Sequence, residues 1–284
     1  MRLPAIVCLT FFLSTFVWGQ PFKNLDDGHR FRSLVGHSAG VNHTGFKSLN
    51  DGGALFSFGN RIPTELYRTN QILLNGSGIS LSDVNGDGQA DIFATSISGA
   101  NALLLNKGDW KFDDVTQSAG VGLDSVYSTG SVLADLDGDQ DVDLLVSTLK
   151  NGTFLFSNDG HGVFTDITSQ LGIQTGVGGM SITVGDYDLD GLLDFYVTNY
   201  RAAALMDVPN ARMNLGVKGG KKIITDFNGR SVSEPDLVNR FYVDERGGIG
   251  EYGEQDSLFR NLGNLRFERV SFTAGSFLDA EGSP

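Results

Sequence analysis

The feature that most constrains this chain is a nine-residue acidic cluster that occurs three times. Asp83–Asp91 reads D-V-N-G-D-G-Q-A-D, Asp135–Asp143 reads D-L-D-G-D-Q-D-V-D, and Asp186–Asp194 reads D-Y-D-L-D-G-L-L-D. The clusters start 52 and 51 residues apart. Side-chain oxygens at positions 1, 3 and 5 of a tight loop converge on one point, and a glycine at position 6 lets the backbone turn sharply. Position 7 adds its carbonyl and position 9 a further carboxylate. A set of oxygens without nitrogen or sulfur suits Ca²⁺, which takes six to eight of them.

The candidate ligands are therefore Asp83, Asn85, Asp87, Gln89 (through its carbonyl) and Asp91 in the first loop. In the second they are Asp135, Asp137, Asp139, Asp141 and Asp143, and in the third Asp186, Asp188, Asp190, Leu192 (through its carbonyl) and Asp194. The competing reading of each loop is an acidic turn that binds nothing, since Asp, Asn and Gly favour turns for local reasons. Charge argues for the cation. Two like charges about 4 Å apart near a surface repel by roughly 4 kcal/mol, so five converged carboxylates need a counterion. In the second loop Gln140 replaces the glycine, so a strained or weaker site is expected there.

Around each loop the sequence reads as short strands. Gly78–Ser82 and Asp91–Thr95 flank the first loop, followed by Ala102–Leu105 and Trp110–Val115. Ser131–Ala134, Leu144–Thr148, Thr153–Phe156 and Val163–Ile167 repeat the series, and Met180–Gly185 and Phe195–Tyr200 begin it again. A turn asparagine recurs before the last strand, at Asn106, Asn158 and Asn261, with a related Asn24 near the start. Four short antiparallel strands every fifty or so residues predict an all-β fold, a β-propeller of four-stranded blades with calcium-binding loops. The expected blades are about 77–121, 129–173 and 178–275, after a degenerate partial repeat over 20–76. The pattern stops after Ala274-Gly275, where another acidic loop is due, so the propeller is expected to be incomplete or truncated toward the C-terminus.

The third repeat is interrupted. The turn asparagine follows the last loop aspartate by 15 residues in the first two repeats and by 67 in the third. This places an insertion at about 200–257, read equally as a functional loop or as a solvated covering hairpin.

Net charge is −13, and 12 of the 34 acidic residues lie in the three loops. Much of the acidity is thus loop chemistry, and with no basic stripe nucleic acid is not an expected partner. Arg2 followed by the apolar run Ala5–Trp18 and a small residue, Gly19, reads as a signal peptide over 1–19. No later stretch is long enough to span a membrane. The sole cysteine, Cys8, lies in that leader, so the mature chain would hold its turns without disulfides. A secreted, extracellular or periplasmic location follows as the expectation.

The D-x-[DN]-x-D-G-x-x-D loops, the strands after them and the N-x-G-x-x-x-F turns resemble the FG-GAP/VCBS repeats of integrin-α-like propellers. Asp186–Tyr200, the insertion after it and Asp256–Asn261 are similar to the cartilage acidic protein/UnbV-type group. The resemblance implies a surface-exposed repeat protein with about three Ca²⁺ sites and roles in adhesion, matrix or glycan contact. No companion domain of the UnbV type is visible.

The leading expectation is a non-enzymatic interaction module with structural calcium and an extracellular protein or polysaccharide ligand. The alternatives are a carbohydrate-active lyase or hydrolase on a propeller scaffold, or a fragment of a longer multidomain protein. Lys221, Lys222, Asp226, Glu234, Tyr242 and Asp244 are the insertion's candidate acid–base groups, and no spacing singles out a pair. No catalytic or cofactor-binding residue is assigned. The four histidines lack zinc spacing, and His29 and His161 read as turn residues.

Overall fold

The computed structural model describes residues 70–171, 176–234 and 237–270, with isolated positions before residue 70. The leader with Cys8, the turn at His29, most of 20–69, Gly172-Ile173 and the tail from 271 lie outside the described residues. The chain divides into two compact units, 1–51 and 52–284. In the first, β1 (Lys23–Asn24) and β2 (Arg30–Phe31) form a short antiparallel pair, with Asn24 opposite Arg30.

The second unit is built from three four-stranded antiparallel sheets. In the first, β3 (Ile79–Ser82), β4 (Asp91–Ala94), β5 (Ala102–Asn106) and β6 (Phe112–Asp114) lie in sequence order. A short helix, α1 (Thr116–Ala119), follows and ends on Gly120 at φ 76°. The second sheet repeats the order with β7 (Tyr127–Ala134), β8 (Asp143–Leu149), β9 (Gly152–Asn158) and β10 (Phe164–Asp166). The third begins with β11 (Gly179–Gly185) and β12 (Asp194–Asn199). The insertion then contributes a sheet of β13 (Met213–Lys218), β14 (Lys221–Phe227) and β15 (Arg230–Ser231), and a pair, β16 (Phe241–Val243) and β17 (Ile249–Glu251). β18 (Ser257–Asn261) and β19 (Phe267–Val270) complete the third sheet.

The sheets stack face to face like propeller blades. β8 shows why: every residue of Asp143–Leu149 is buried. Successive side chains of a strand point to opposite faces, so Leu144 and Val146 join Phe93 and Leu103 of the first sheet. Leu145 faces the other way, into a cluster with Ile182, Phe195, Val197, Phe259 and Phe267 of the third. Phe195 stacks on Phe259 at 4.5 Å and meets Phe267 edge-on at 5.0 Å. The innermost strands β3, β7 and β11 approach through small residues. Thr129 Oγ1 donates to Gly179 O at 2.6 Å. A Cβ on Gly130 would lie 3.0 Å from Met180 O, a tight approach that would require the neighbouring strand to give way.

Leu133 and Val184, two residues before their loops, pack against the preceding sheet. Leu81, the equivalent residue of β3, is 65% exposed, and Ile79 beside it 69%. Among the described residues the three sheets do not close into a ring, as an incomplete propeller would require.

The insertion is anchored to the third sheet by charge. Arg201 is buried, donates from Nε to Tyr252 O at 2.6 Å and lies beside Glu251 and Glu254. Glu254 in turn accepts from Gly178 N at 2.6 Å. Arg240 pairs with Glu251 at 2.9 Å and lies over the rings of Phe227 and Phe241. The insertion folds as two β units joined by this network.

Candidate metal centres

Each acidic cluster forms the turn between the first two strands of a sheet. We call them loops 1 (83–91), 2 (135–143) and 3 (186–194). In all three the first aspartate gathers backbone N–H groups. Asp83 Oδ1 accepts from Gly86 at 2.9 Å and Asp87 at 3.1 Å, and its Oδ2 accepts from Gly88 at 2.7 Å. Asp135 accepts from Gly138 at 2.7 Å and Gln140 at 3.1 Å. Asp186 accepts from Asp190 at 3.1 Å and Gly191 at 2.9 Å. Burial is the largest single influence on Asp83 and pushes it up. The N–H groups of Gly88, Asp87, Asn85 and Gly86 together outweigh it and hold the carboxyl below its usual range.

The structure brings positions 1, 3 and 5 together. Ligand oxygens of Asp135, Asp137 and Asp139 lie within 4.8 Å of one another, as do those of Asp186, Asp188 and Asp190. In loop 1 the middle member is Asn85, whose Nδ2 donates to Asp87 Oδ2 at 3.3 Å. Asp137 is pushed up by burial first, and by the charges of Asp139 and Asp135 against only one N–H donor. A cation would relieve that crowding.

Positions 7 and 9 stand apart. Asp141 leans on the turn glycine Gly160, and the Gln89 side chain lies against Gly108. The backbone N–H of Leu192 donates to Asp190 Oδ1 at 2.9 Å. The ninth aspartates are buried and act as latches. Asp91 accepts from Val84 N at 2.9 Å and Asn106 N at 2.8 Å. Asp143 accepts from Leu136 N at 3.2 Å and Asn158 N at 3.1 Å. Asp194 accepts from Tyr187 N at 3.0 Å and Asn261 N at 2.8 Å. Each carboxylate thus ties its loop to the outer turn of the same sheet. Its oxygens retain further lone pairs for a metal. Burial pushes Asp143 up to about 7, against the pull of those two N–H groups.

The turn asparagines do more than their turn position suggests. Asn158 Nδ2 donates to Val142 O of its own loop at 3.1 Å and to Val84 O of loop 1 at 2.8 Å. Asn261 does the same with Leu193 O at 2.9 Å and Leu136 O of loop 2 at 2.7 Å. The three loops are joined in series across the sheets. The recurring spacing of 15 residues between ninth aspartate and asparagine was the signal in the sequence; the cross-sheet bond was not readable from it.

Arg260 was not singled out by sequence. It lies on β18 one residue before Asn261, with Nε 2.7 Å from Asp188 Oδ2 and Nη2 3.8 Å from Asp190 Oδ2. Asp188 Oδ1 is buried and has no hydrogen-bond donor among the described residues. The donor set is oxygen only, and this acceptor lacks a partner, so the loop fits a hard cation.

Of the insertion candidates, Lys221, Lys222 and Asp244 line one cleft together with Glu245 and Arg246, Lys222 and Tyr242 line a second, and Asp226 and Glu234 lie outside both. Asp226 accepts from Gly229 N at 2.9 Å, Glu234 pairs with Arg230 at 2.5 Å, and Asp244 caps the turn at Arg246 N and Gly248 N. Tyr242 rests on Tyr252 with ring centroids 4.7 Å apart. Lys221 and Lys222 open β14 on the surface. His161 sits exposed in the outer turn of the second sheet. No helix among the described residues is long and apolar enough to cross a membrane.

A sequence profile of the FG-GAP-like repeat matches residues 83–146 and again 135–197. Each match runs from one acidic loop through its sheet to the strand beyond the next loop. Cartilage acidic protein 1 of Xenopus tropicalis is 29% identical over 170 residues, 57% of this chain and 25% of that protein. The Homo sapiens protein of the same name is 30% identical over 135 residues, 45% of this chain and 20% of that protein. The chain thus spans about a quarter or less of the curated relatives it matches. With the loops, the sheets between them and these matches in register, residues 83–197 carry FG-GAP-like repeats.

Proposed function

We propose that loops 1, 2 and 3 each hold a structural Ca²⁺, and that the protein is a secreted binding module without catalysis. The ligand of the module would be an extracellular protein or polysaccharide. The proposed calcium ligands are Asp83, Asn85, Asp87, Gln89 and Asp91; Asp135, Asp137, Asp139, Asp141 and Asp143; and Asp186, Asp188, Asp190, Leu192 and Asp194. Positions 1, 3 and 5 supply side chains directly, position 7 a carbonyl, and position 9 the second lone pairs of the latch carboxylate.

The observation that carries this reading is the crowding of Asp135, Asp137 and Asp139 within 4.8 Å at a strand-to-strand turn. Bound calcium would stabilise the folded state by mass action, and sites with Kd near 10⁻⁴–10⁻³ M are common in extracellular modules. The relatives' name, cartilage acidic protein, agrees with an extracellular setting.

The test is thermal unfolding in millimolar calcium and in excess EGTA. At a calcium concentration tenfold its Kd one site adds about 1.4 kcal/mol, so three sites should raise the midpoint by roughly ten degrees. An unchanged midpoint would remove the structural role. Release of reducing or unsaturated sugar from a polysaccharide panel would overturn the non-catalytic part.

A further inference from the structure

Loop 3 has the most regular ligand pattern of the three, with aspartates at positions 1, 3, 5 and 9 and glycine at 6. It is also the one loop, among the described residues, whose carboxylates form an ion pair with a cationic side chain from its own sheet. Arg260 lies 2.7 Å from Asp188 and 3.8 Å from Asp190, at positions 3 and 5. A guanidinium stays charged at any working pH. The matching positions, one before the turn asparagine, are Leu105 in the first sheet and Ser157 in the second. Neither can supply a positive charge.

A divalent ion bound through Asp188 and Asp190 would sit about 2.3–2.6 Å from their oxygens. The guanidinium already touches the same group, so ion and arginine would repel at close range. Both cannot hold the carboxylates fully. Arg260 is only half-buried, with its side chain 43% exposed, so it has room to withdraw into solvent.

Resting on the calcium reading above, we infer that Arg260 is a built-in counterion that competes with calcium for loop 3. Loops 1 and 2 therefore fill at lower calcium, and loop 3 fills last, as Arg260 is displaced. The arginine makes the third loop tolerable without metal and sets the concentration at which it loads.

The test is calorimetric titration of the full chain with calcium alone, comparing the unaltered protein with Arg260→Ser and Arg260→Gln. Serine is the residue at this place in the second sheet, and circular dichroism checks the fold of both variants. In the unaltered protein the weakest site is expected to vanish in Asp190→Asn, which assigns it to loop 3. Removing the arginine should tighten that site by at least about fivefold, the lower end of ordinary coupling between sites. In EGTA, Arg260→Ser should melt below the unaltered protein, and saturating calcium should close the gap. If loops 1 and 2 bind while the third site is unmoved or weakened in both variants, the inference fails alone. If neither protein takes up calcium at any loop, the inference and the calcium reading fall together.

Discussion

Loops 2 and 3 solve the same electrostatic problem in opposite ways. Loop 2 carries five carboxylates in nine residues and has no arginine among its described ion pairs. Its central Asp137 and its latch Asp143 are both pushed up, burial leading in each. Loop 3 carries four carboxylates and borrows a guanidinium from β18. Their backbones differ as well. Positions 4 and 6 both lie in the left-handed region. Loop 2 spends its glycine on position 4 (Gly138, φ 87°) and strains Gln140 (φ 79°) at position 6. Loop 3 reverses this, with Gly191 (φ 90°) at position 6 and Leu189 (φ 63°) at position 4. A loop with the better nine-residue motif is therefore not the loop with the greater need for metal. That need depends on a residue more than sixty positions downstream.

The largest expected effect tests what the two loops share. Asp143→Ala and Asp194→Ala each strand two backbone N–H groups, most of them buried, at roughly 1–3 kcal/mol apiece, so each should cost about 3–5 kcal/mol in chemical denaturation. Costs that differ by more than half would break the idea of a common latch.

Next in size is the asparagine series. Asn158→Ala removes the bonds to Val84 O and Val142 O with its turn contact, whereas Asn106→Ala removes the bond to Ala90 O with its turn contact. Asn158→Ala should cost about 2–3 kcal/mol and Asn106→Ala about 1 kcal/mol less, by denaturant midpoint at constant m. Equal costs would mean that the cross-sheet bond contributes nothing.

The smallest effects sharpen the backbone contrast. Gln140→Gly should stabilise by about 0.5–1 kcal/mol, since glycine adopts the left-handed region without a Cβ penalty and loses some of that gain to unfolded-chain entropy. Leu189→Gly should gain a similar amount and lose almost nothing in packing, because Leu189 is 86% exposed. A destabilised Leu189→Gly would show that this side chain is held by something other than its own turn.

Much of this was legible because it is local. The fixed spacing of the acidic loops located the strands of the first two sheets and the start of the third, with ends within two residues except at β7, which begins at Tyr127 and not at Ser131, while the five strands of the insertion were not located. Leu144-Leu145-Val146 could be placed on a strand, yet the sequence could not say that both faces would be covered, since that depends on the neighbouring sheets. The loops were found; the division of labour inside them was not. Nothing in D-x-D-x-D-G-x-x-D distinguishes a ninth carboxylate that accepts two backbone N–H groups from one that only faces a cation. The left-handed requirement at position 4 was hidden in the third loop, where a leucine occupies it. Arg260 escaped because the insertion separates it from Asp188 in sequence while β18 restores it in space. The four-residue helix at Thr116–Ala119 is too short to leave a periodic signature.

The bonds from Asn158 to Val84 and from Asn261 to Leu136 carry a consequence for how such chains can be cut and joined. A sheet excised from first strand to last leaves behind the carbonyl its asparagine was made to meet. The transferable module is staggered, each one finished by the loop of its predecessor. Splicing such proteins at sheet boundaries should fail where splicing one loop earlier succeeds.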